Sequence, residues 1–326
     1  MAELSRPSDV AADEATKPKV AAPTRRLDII SHRNIFFLIS LLIIIPGIVS
    51  MVTRGFLLGI DFQGGSEFFI SFPHNQPSLA AVEAAVAGEG VNGQVQQTSN
   101  GTFIIRTSVL DPNQAKTFTD DVGRKVGSTA SIDSQQQVGG TIAAETVTTA
   151  LYAIVAASAL ILFYLAFRFR RVPGGWQSGF QFGGSALLAL LHDVFLLTGI
   201  FSILGRVFGL RIGEIDAFFL TAVLTVVGFS VHDTIVVFDR IRENMVVSSR
   251  LTFEQVVNLS IMQTAARSII TSFTVVLVLL SLFLFGGDTL KGFALALLIG
   301  IISGTYSSIF NASPLLVVWR RLQPVR

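Results

Sequence analysis

Two His-Asp dipeptides are the residues best suited to chemistry in this sequence, because each lies within an otherwise uncharged apolar run. They are His192-Asp193 and His232-Asp233. Ionisable groups inside a membrane helix are costly and mark functional sites by default. Burial disfavours the charged form of a carboxyl group, so such a group can exchange protons near neutral pH. We therefore predict a proton pathway at these four residues, with Asp233 as the carrier.

A structural role is the alternative for both carboxyl groups, each of which would then only hydrogen-bond a neighbouring helix. We favour that role for Asp193, which lies nearer the middle of its run, and proton transfer for Asp233. At 100° per residue, the small and polar residues around Asp233 fall on one flank, which we predict to face protein. They form two adjacent stripes: Thr221, Thr225, Gly228 and His232, and Ala222, Val226, Ser230 and Asp233.

A basic residue enters the next apolar run beside polar neighbours. Arg267 follows Gln263 and Thr264, and Thr271 and Thr274 continue the polar stripe. The guanidinium is a candidate counter-charge for an aspartate. It is equally a flank residue whose long side chain reaches the membrane surface, and the spacing leaves both interpretations open.

The composition requires a membrane environment for these residues. Hydrophobic residues make up 51% of the 326 and charged residues 14%, against about 25% charged in a soluble domain. Cysteine is absent, which excludes disulfides and thiolate metal sites, and we expect no metal and no cofactor. The sequence contains no GxxxxGK[ST], HExxH or GxSxG motif, so we expect no enzymatic activity. Six apolar runs are long enough to span a bilayer: 35–52, 146–167, 183–204, 217–238, 268–286 and 293–316.

These runs predict an α-helical polytopic membrane protein with a single extramembrane domain. The side that holds both termini carries twice as many Lys and Arg residues as the other, so we expect cytoplasmic termini and an outward domain. The predicted organisation is a disordered tail (1–33), a first helix (34–53), the extracytoplasmic domain (54–145), five further helices (146–319) and a short tail (320–326).

Periodicity within the domain predicts a ferredoxin-like α+β fold with the order β-α-β-β-α-β. Asn100-Gly101 is a strong hairpin signal, and Asp111-Pro112 supplies an N-cap and an N1 proline. The domain is acidic, which argues against nucleic-acid binding. The predicted strands are 67–72, 94–99, 102–108 and 131–138, and the predicted helices are 78–88 and 112–125.

Small residues indicate two further structural features. Gly64-Gly65 and Gly139-Gly140 flank the domain and act either as hinges or as fixed turns that need positive φ. In the last run, small residues recur every four positions, which is typical of close helix packing. That ridge includes Gly300, Gly304 and Ser308.

Five segments together resemble the SecD/SecF family of protein-export membrane proteins, and within it the SecF type. They are GIDFQGG, LLHDV, VVGFSVHDTIVVFDRIREN, QTAARSIITS and GIISGTYSSIFNASPLL, in the expected order. The resemblance implies a six-helix bundle of the resistance–nodulation–division (RND) type in the bacterial cytoplasmic (inner) membrane. It also implies Asp233 and Arg267 in proton passage, with His232 where Asn is more usual.

The resemblance further implies that the chain works with SecD and YajC beside the SecYEG channel and SecA. It would use the proton-motive force to promote export of unfolded polypeptides. One alternative function is an RND-type proton-coupled exporter of small solutes, which requires a substrate-lined cleft. Another is a structural assembly factor, for which Asp233 is dispensable.

Overall fold

The computed structural model of the chain describes residues 28–89, 93–98, 100–248 and 250–324. Within this part of the chain, six helices are long and apolar enough to cross a membrane. The helices are α1 (Arg33–Arg54), α2 (Ile60–Gln63), α3 (Leu79–Ala87), α4 (Pro112–Val126), α5 (Gly140–Phe169), α6 (Gly175–Ser202), α7 (Ala217–Val247), α8 (Phe253–Phe285), α9 (Asp288–Ser307) and α10 (Ser313–Leu322). The strands are β1 (Gly65–Ser71), β2 (Gln94–Gln97), β3 (Phe103–Thr107) and β4 (Ser131–Val138). The prediction of a polytopic helical membrane protein is confirmed.

The membrane helices extend beyond the apolar runs that predict them. An apolar run measures the bilayer core, whereas α5, α7 and α8 continue into polar sequence outside it. The Asp216 side chain accepts a hydrogen bond from the Phe219 N–H at the start of α7. Thr252 and Gln255 form a capping box at the start of α8. The second membrane helix, α5, begins at Gly140, which lies within the segment 54–145 predicted for the domain.

The predicted terminal tails differ from the structure where it describes them. Residues 1–27 and 325–326 lie outside the described residues. Ile29 and Ile30 are buried against the bundle, and the Ile29 N–H donates to Asn258 Oδ1 at 2.9 Å. Residues 28–33 are thus ordered by packing, and 320–322 complete α10. Local composition could not reveal this because both segments are held by residues distant in sequence.

The extramembrane domain is a four-stranded antiparallel sheet with the strand order β2-β3-β1-β4. This is the predicted ferredoxin-like arrangement, with α3 and α4 on one face. Side chains alternate along a strand, so Phe68 and Ile70 on β1 and Phe103 and Ile105 on β3 all point toward the helices. Gly101 has φ 84° in the β2–β3 hairpin, a backbone conformation that favours glycine.

The opposite face of the sheet docks on the membrane bundle through a buried ion cluster. Glu67 and Arg106 are paired across β1 and β3, and both reach the segment between α6 and α7. Arg106 Nη2 lies 3.2 Å from Glu67 Oε1 and also bonds Glu214, while Arg211 Nη2 lies 2.9 Å from Glu67 Oε1. Four alternating charges therefore join the domain to the bundle.

The two glycine pairs that flank the domain have different geometries. Gly64 and Gly65 have φ of 74° and 131°, and a Cβ at Gly65 would lie 2.5 Å from Thr107 O. Gly139 and Gly140 have no positive φ, and nothing lies within 4 Å of a Cβ built at either. The first pair thus needs glycine for its backbone conformation. The hinge remains a prediction.

Close helix contacts bring α9 against α7 within the bundle. A Cβ on Gly300 would overlap Val226 Cγ2, and one on Gly304 would lie 3.0 Å from Ser230 Cβ. Ser308, the third member of the ridge, is fully buried at the turn that follows α9. These glycines let the two helices approach closely, as small residues do at helix interfaces in membranes.

We predict that Gly300→Ala destabilises the bundle by about 1 to 3 kcal/mol, because its methyl group overlaps Val226. The test is unfolding of the purified chain in SDS, followed by the fluorescence of Trp176 and Trp319. Val226→Ala should restore stability in the double variant. Gly228→Ala is the matched control, since a Cβ there meets nothing within 4 Å; equal stability of both single variants would contradict the packing.

The ion cluster predicts a specific pH dependence. Burial raises the pKa of the Glu214 carboxyl above its ordinary value of 4.5, against the attraction of Arg106. The folded chain then binds this proton more tightly than the unfolded chain does. The free energy of unfolding therefore falls as pH rises from 4.5 through the raised pKa.

Glu214→Gln should remove this pH dependence and keep or raise stability at neutral pH. Arg106→Met should cost about 3 kcal/mol, because it leaves two buried carboxylates with Arg211 as their one remaining cation in the cluster. Thermal unfolding of the chain between acid and neutral pH measures both effects. A Glu214→Gln variant less stable than the parent at neutral pH would show that the attraction outweighs the cost of burial.

Candidate proton-transfer site

Asp193 lies on α6 with its side chain fully buried and surrounded by hydroxyl groups. Ser303 Oγ donates to Oδ1 at 2.6 Å, and Ser230 Oγ and Ser307 Oγ donate to Oδ2 at 2.7 and 2.5 Å. Ser230 belongs to α7, and Ser303 and Ser307 are one turn apart on α9. The carboxylate therefore ties three membrane helices together.

His192 adds a fourth contact to the same carboxyl group. Its Nδ1 lies 3.1 Å from Asp193 Oδ1, and its ring lies beside Tyr306 with the centroids 6.5 Å apart. The other ring nitrogen, Nε2, is buried and has no hydrogen-bond partner among the described residues. Both Asp193 oxygens thus hold short bonds, an arrangement that favours a fixed structural carboxylate.

Asp233 lies on α7 and is held much less tightly. It is also buried, with 2% of its surface exposed. Its hydrogen bonds both fall on Oδ2, from Ser272 Oγ of α8 at 3.5 Å and Thr305 Oγ1 of α9 at 3.4 Å. Hydroxyl-to-carboxylate bonds are normally 2.5 to about 2.8 Å long. This carboxyl group can therefore change protonation or position without breaking a strong bond.

Arg267 shares the depth of Asp233 but does not pair with it. Asp233 lies fourteen residues before the end of α7, and Arg267 lies fourteen residues after the start of α8. Because the two helices are antiparallel neighbours, both residues lie about 21 Å from the loop that joins them. The Arg267 side chain is exposed and forms no ion pair within the described part of the chain.

The two predicted stripes of α7 have different surroundings. Ala222, Val226, Ser230 and Asp233 are buried inside the bundle. Thr221, Thr225, Gly228 and His232 are exposed on the surface of this chain. His232 therefore lies on the exposed stripe beside the buried stripe of Asp233, about 100° further around α7.

Five hydroxyl residues complete the site, and only one of them was singled out by sequence reasoning. Ser230 appeared in the buried stripe, while the serines and threonine that bind the two carboxyl groups from α8 and α9 did not. The sequence gives one weak indication of them: Ser303 and Ser307 are four residues apart, a spacing that places two side chains on one helix face. The residues missed are Ser272, Ser303, Thr305 and Ser307.

Comparison with known proteins identifies the family. A model of the C-terminal region of the protein export membrane proteins SecD/SecF matches residues 119–322, and a model of the SecD/SecF GG motif matches residues 49–69. The chain belongs to the SecD/SecF family. The GG-motif match contains Gly64-Gly65, the turn with two positive φ values.

Curated relatives that match this chain over most of both lengths are SecF subunits of the protein translocase. That of Thermobaculum terrenum is 45% identical over 305 residues, which cover 90% of this chain and 94% of the relative. That of Anaerolinea thermophila is 41% identical, with the same coverage of both chains. The chain is accordingly a SecF-type subunit with a transport role in protein translocation.

The fold matches a solved relative with a larger chain. The crystal structure of SecDF, a translocon-associated membrane protein from Thermus thermophilus, superposes with a TM-score of 0.79 at 29% identity. The match covers 96% of this chain and 41% of that one. This chain thus spans about two fifths of the SecDF chain, and it has the multi-pass bundle of that structure.

We predict that the two carboxyl groups contribute unequally to the stability of the bundle. Asp193→Asn replaces a two-oxygen acceptor by an amide, so hydroxyl groups lose their partner and the bundle loses about 1 to 3 kcal/mol. Asp233→Asn should leave stability within about 0.5 kcal/mol, because its bonds are long. Unfolding in SDS measures both, and a larger loss for Asp233→Asn would reverse our assignment of the structural carboxylate.

Proposed function

We propose that the chain couples proton entry at Asp233 to conformational steps that promote export of unfolded polypeptides across the bacterial cytoplasmic membrane. In this proposal it works with a SecD partner, beside YajC, the SecYEG channel and SecA, and performs no enzymatic reaction. The domain faces outward and both termini are cytoplasmic, as the Lys and Arg distribution indicates. The observation that carries the proposal is the weakly held, buried carboxyl group of Asp233.

Asp233 connects proton binding to helix packing. Its two hydroxyl partners, Ser272 and Thr305, also bond each other, so α7, α8 and α9 meet at this carboxyl group. When Asp233 is ionised it accepts from both hydroxyls, and when protonated it can itself donate. Each protonation state therefore favours a different arrangement of the same three helices. That is the two-state element that proton-coupled movement requires.

The exposed stripe of α7 supports a membrane-embedded partner. Thr221, Thr225 and His232 are polar, and Gly228 leaves space beside them. A polar stripe facing lipid is unfavourable, whereas a second protein surface can bond the hydroxyls and the imidazole. The SecDF relative carries further chain beyond the part that this chain matches. A SecD-type bundle against this stripe is the partner we propose.

Arg267 has a conditional role in this mechanism. It lies at the depth of Asp233 but on the surface of the bundle. A rotation of α8 that brings the guanidinium within about 4 to 6 Å of Asp233 would favour the ionised carboxylate and so drive proton release. The present arrangement, without the ion pair, corresponds to the state that accepts a proton.

The energy of one proton sets what this coupling can do. A proton that moves down 100 mV releases about 2.3 kcal/mol, whereas unfolding a domain costs about 5 to 15 kcal/mol. One proton therefore biases a conformational equilibrium by roughly 50-fold. Repeated steps on an already unfolded chain are compatible with that energy, and unfolding of a folded cargo is not.

We predict that Asp233→Asn assembles normally but loses the part of export that depends on the proton-motive force. The amide keeps the size and polarity of the side chain but cannot ionise. The measurement is export into inverted membrane vesicles that contain the chain and its SecD partner, with and without an uncoupler. Ser281→Ala, an exposed change on α8, is the control, and uncoupler-sensitive export at the parental rate in Asp233→Asn would refute proton transfer at this residue.

A further inference from the structure

A cleft of about 960 Å³ separates the free edge of the sheet from the membrane bundle. Its domain side is formed by β2 and by α3. Its bundle side is formed by the segment between α6 and α7 and by the start of α9. The cleft therefore lies at the membrane surface, on the side of the bundle that carries the domain, and away from Asp233 and its partners.

The cleft follows the backbone of β2 along its unpaired edge. Gln94, Val95, Gln96, Gln97 and Thr98 all line it. Successive side chains of a strand point to opposite faces, so five consecutive residues can line one cleft only if it runs along the strand edge. β2 is an edge strand of the sheet. Among the described strands it pairs only with β3, so its other edge is unpaired.

The register shows which backbone groups face the cleft. The Thr98 N–H donates to Thr102 O, and Gln97 is opposite Phe103. In an antiparallel ladder, bonded and non-bonded pairs alternate. The N–H and C=O groups of Val95 and Gln97 therefore point away from β3, toward the cleft, and are available to a further strand.

A buried polar atom of β2 also lacks a partner there. The amide oxygen Oε1 of Gln96 is shielded from solvent and accepts no hydrogen bond in the described structure. Gln96 is opposite Ile104, so its side chain lies on the face of the sheet that is turned to the bundle. A buried acceptor without a donor is costly, and a backbone N–H from an inserted strand would satisfy it.

The charges around the cleft favour backbone recognition over recognition of an anion. Lys291 pairs with Asp288, Arg211 pairs with Glu67, and Arg206 Nε donates to Phe56 O. The basic groups are thus occupied. The lining includes four acidic and three basic residues: Glu83, Glu214, Asp216 and Asp288, and Arg206, Arg211 and Lys291.

We propose that this cleft binds an extended polypeptide segment, which adds as a strand to the free edge of β2. Strand addition supplies affinity through main-chain hydrogen bonds and tolerates varied side chains. The five residues of the edge span about 17 Å, enough for a segment of similar length. The proposal rests on the proposed function, because an export subunit meets unfolded chains of many sequences on this side of the membrane.

Binding of a labelled peptide to the purified full-length chain in lipid nanodiscs tests the proposal. The probe is a fluorescein-labelled peptide of alternating valine and threonine, and its matched control carries N-methyl groups on alternate backbone nitrogens. Fluorescence anisotropy should show binding of the parent peptide and about tenfold weaker binding of the N-methylated one, because backbone donors are lost. Equal binding of the two peptides would overturn the proposal.

Two variants locate the binding to β2. Gln97→Pro removes an edge N–H but no bond to β3, so it should weaken peptide binding about tenfold. Its control, Gln97→Ala, keeps the N–H and should bind the peptide within about twofold of the parent. Gln96→Leu removes the unpartnered oxygen, so it should weaken binding without lowering the unfolding midpoint. This second variant keeps the test decisive if the proline disturbs folding.

Other outcomes have definite meanings. Parental binding by both Gln97→Pro and Gln96→Leu would refute a site at β2, and binding that lipid competes away equally for both peptides would identify a lipid site instead. The assay needs no proton gradient, so its failure is separate from failure of the proposed proton coupling. Normal peptide binding by Asp233→Asn would support a site that is independent of Asp233.

Discussion

A carboxylate inside a bilayer must find its hydrogen-bond donors within the protein, and the bundle is built around that requirement. Asp193 meets it with three serine hydroxyls from two other helices. Ser230 also packs against Gly304, so the hydrogen bond and the close contact of α7 with α9 depend on each other. The small residues of the last helix thus serve both helix packing and the hydrogen bonding of a buried carboxyl group.

Asp233 differs from Asp193 in how tightly its carboxyl group is held. Asp193 joins α6, α7 and α9 through its serine partners, whereas Asp233, three residues beyond Ser230 on α7, has only long contacts to α8 and α9. In the proposed mechanism, protonation of Asp233 would move α8 while the bonds of Asp193 keep the rest of the bundle together. On the domain side, the Glu67, Arg106, Arg211 and Glu214 cluster joins the sheet to the segment between α6 and α7, so in the proposed mechanism it would carry such a movement to the sheet.

Sequence reasoning succeeded where local chemistry decides and failed where distant parts of the chain meet. Asn100-Gly101 and Asp111-Pro112 fix a turn and a helix start through their own backbones, so the ferredoxin-like domain was predictable. The contrast between Asp193 and Asp233 was only partly predictable. Serines are common in apolar runs, and the partner of each serine depends on how its helix is rotated. The ion cluster and the burial of Ile29 and Ile30 join segments far apart in sequence, and no local pattern signals them.

The central claim is that Asp233 carries protons and Asp193 holds the bundle. Proton uptake into vesicles that contain the chain and its SecD partner, loaded with a pH-sensitive dye and given a pH gradient, tests it most directly. We expect uptake by the parent chain, retained uptake in Ser303→Ala, which removes one bond from Asp193, and background uptake in Asp233→Asn. Parental uptake in Asp233→Asn, together with loss in Ser303→Ala, would contradict the account.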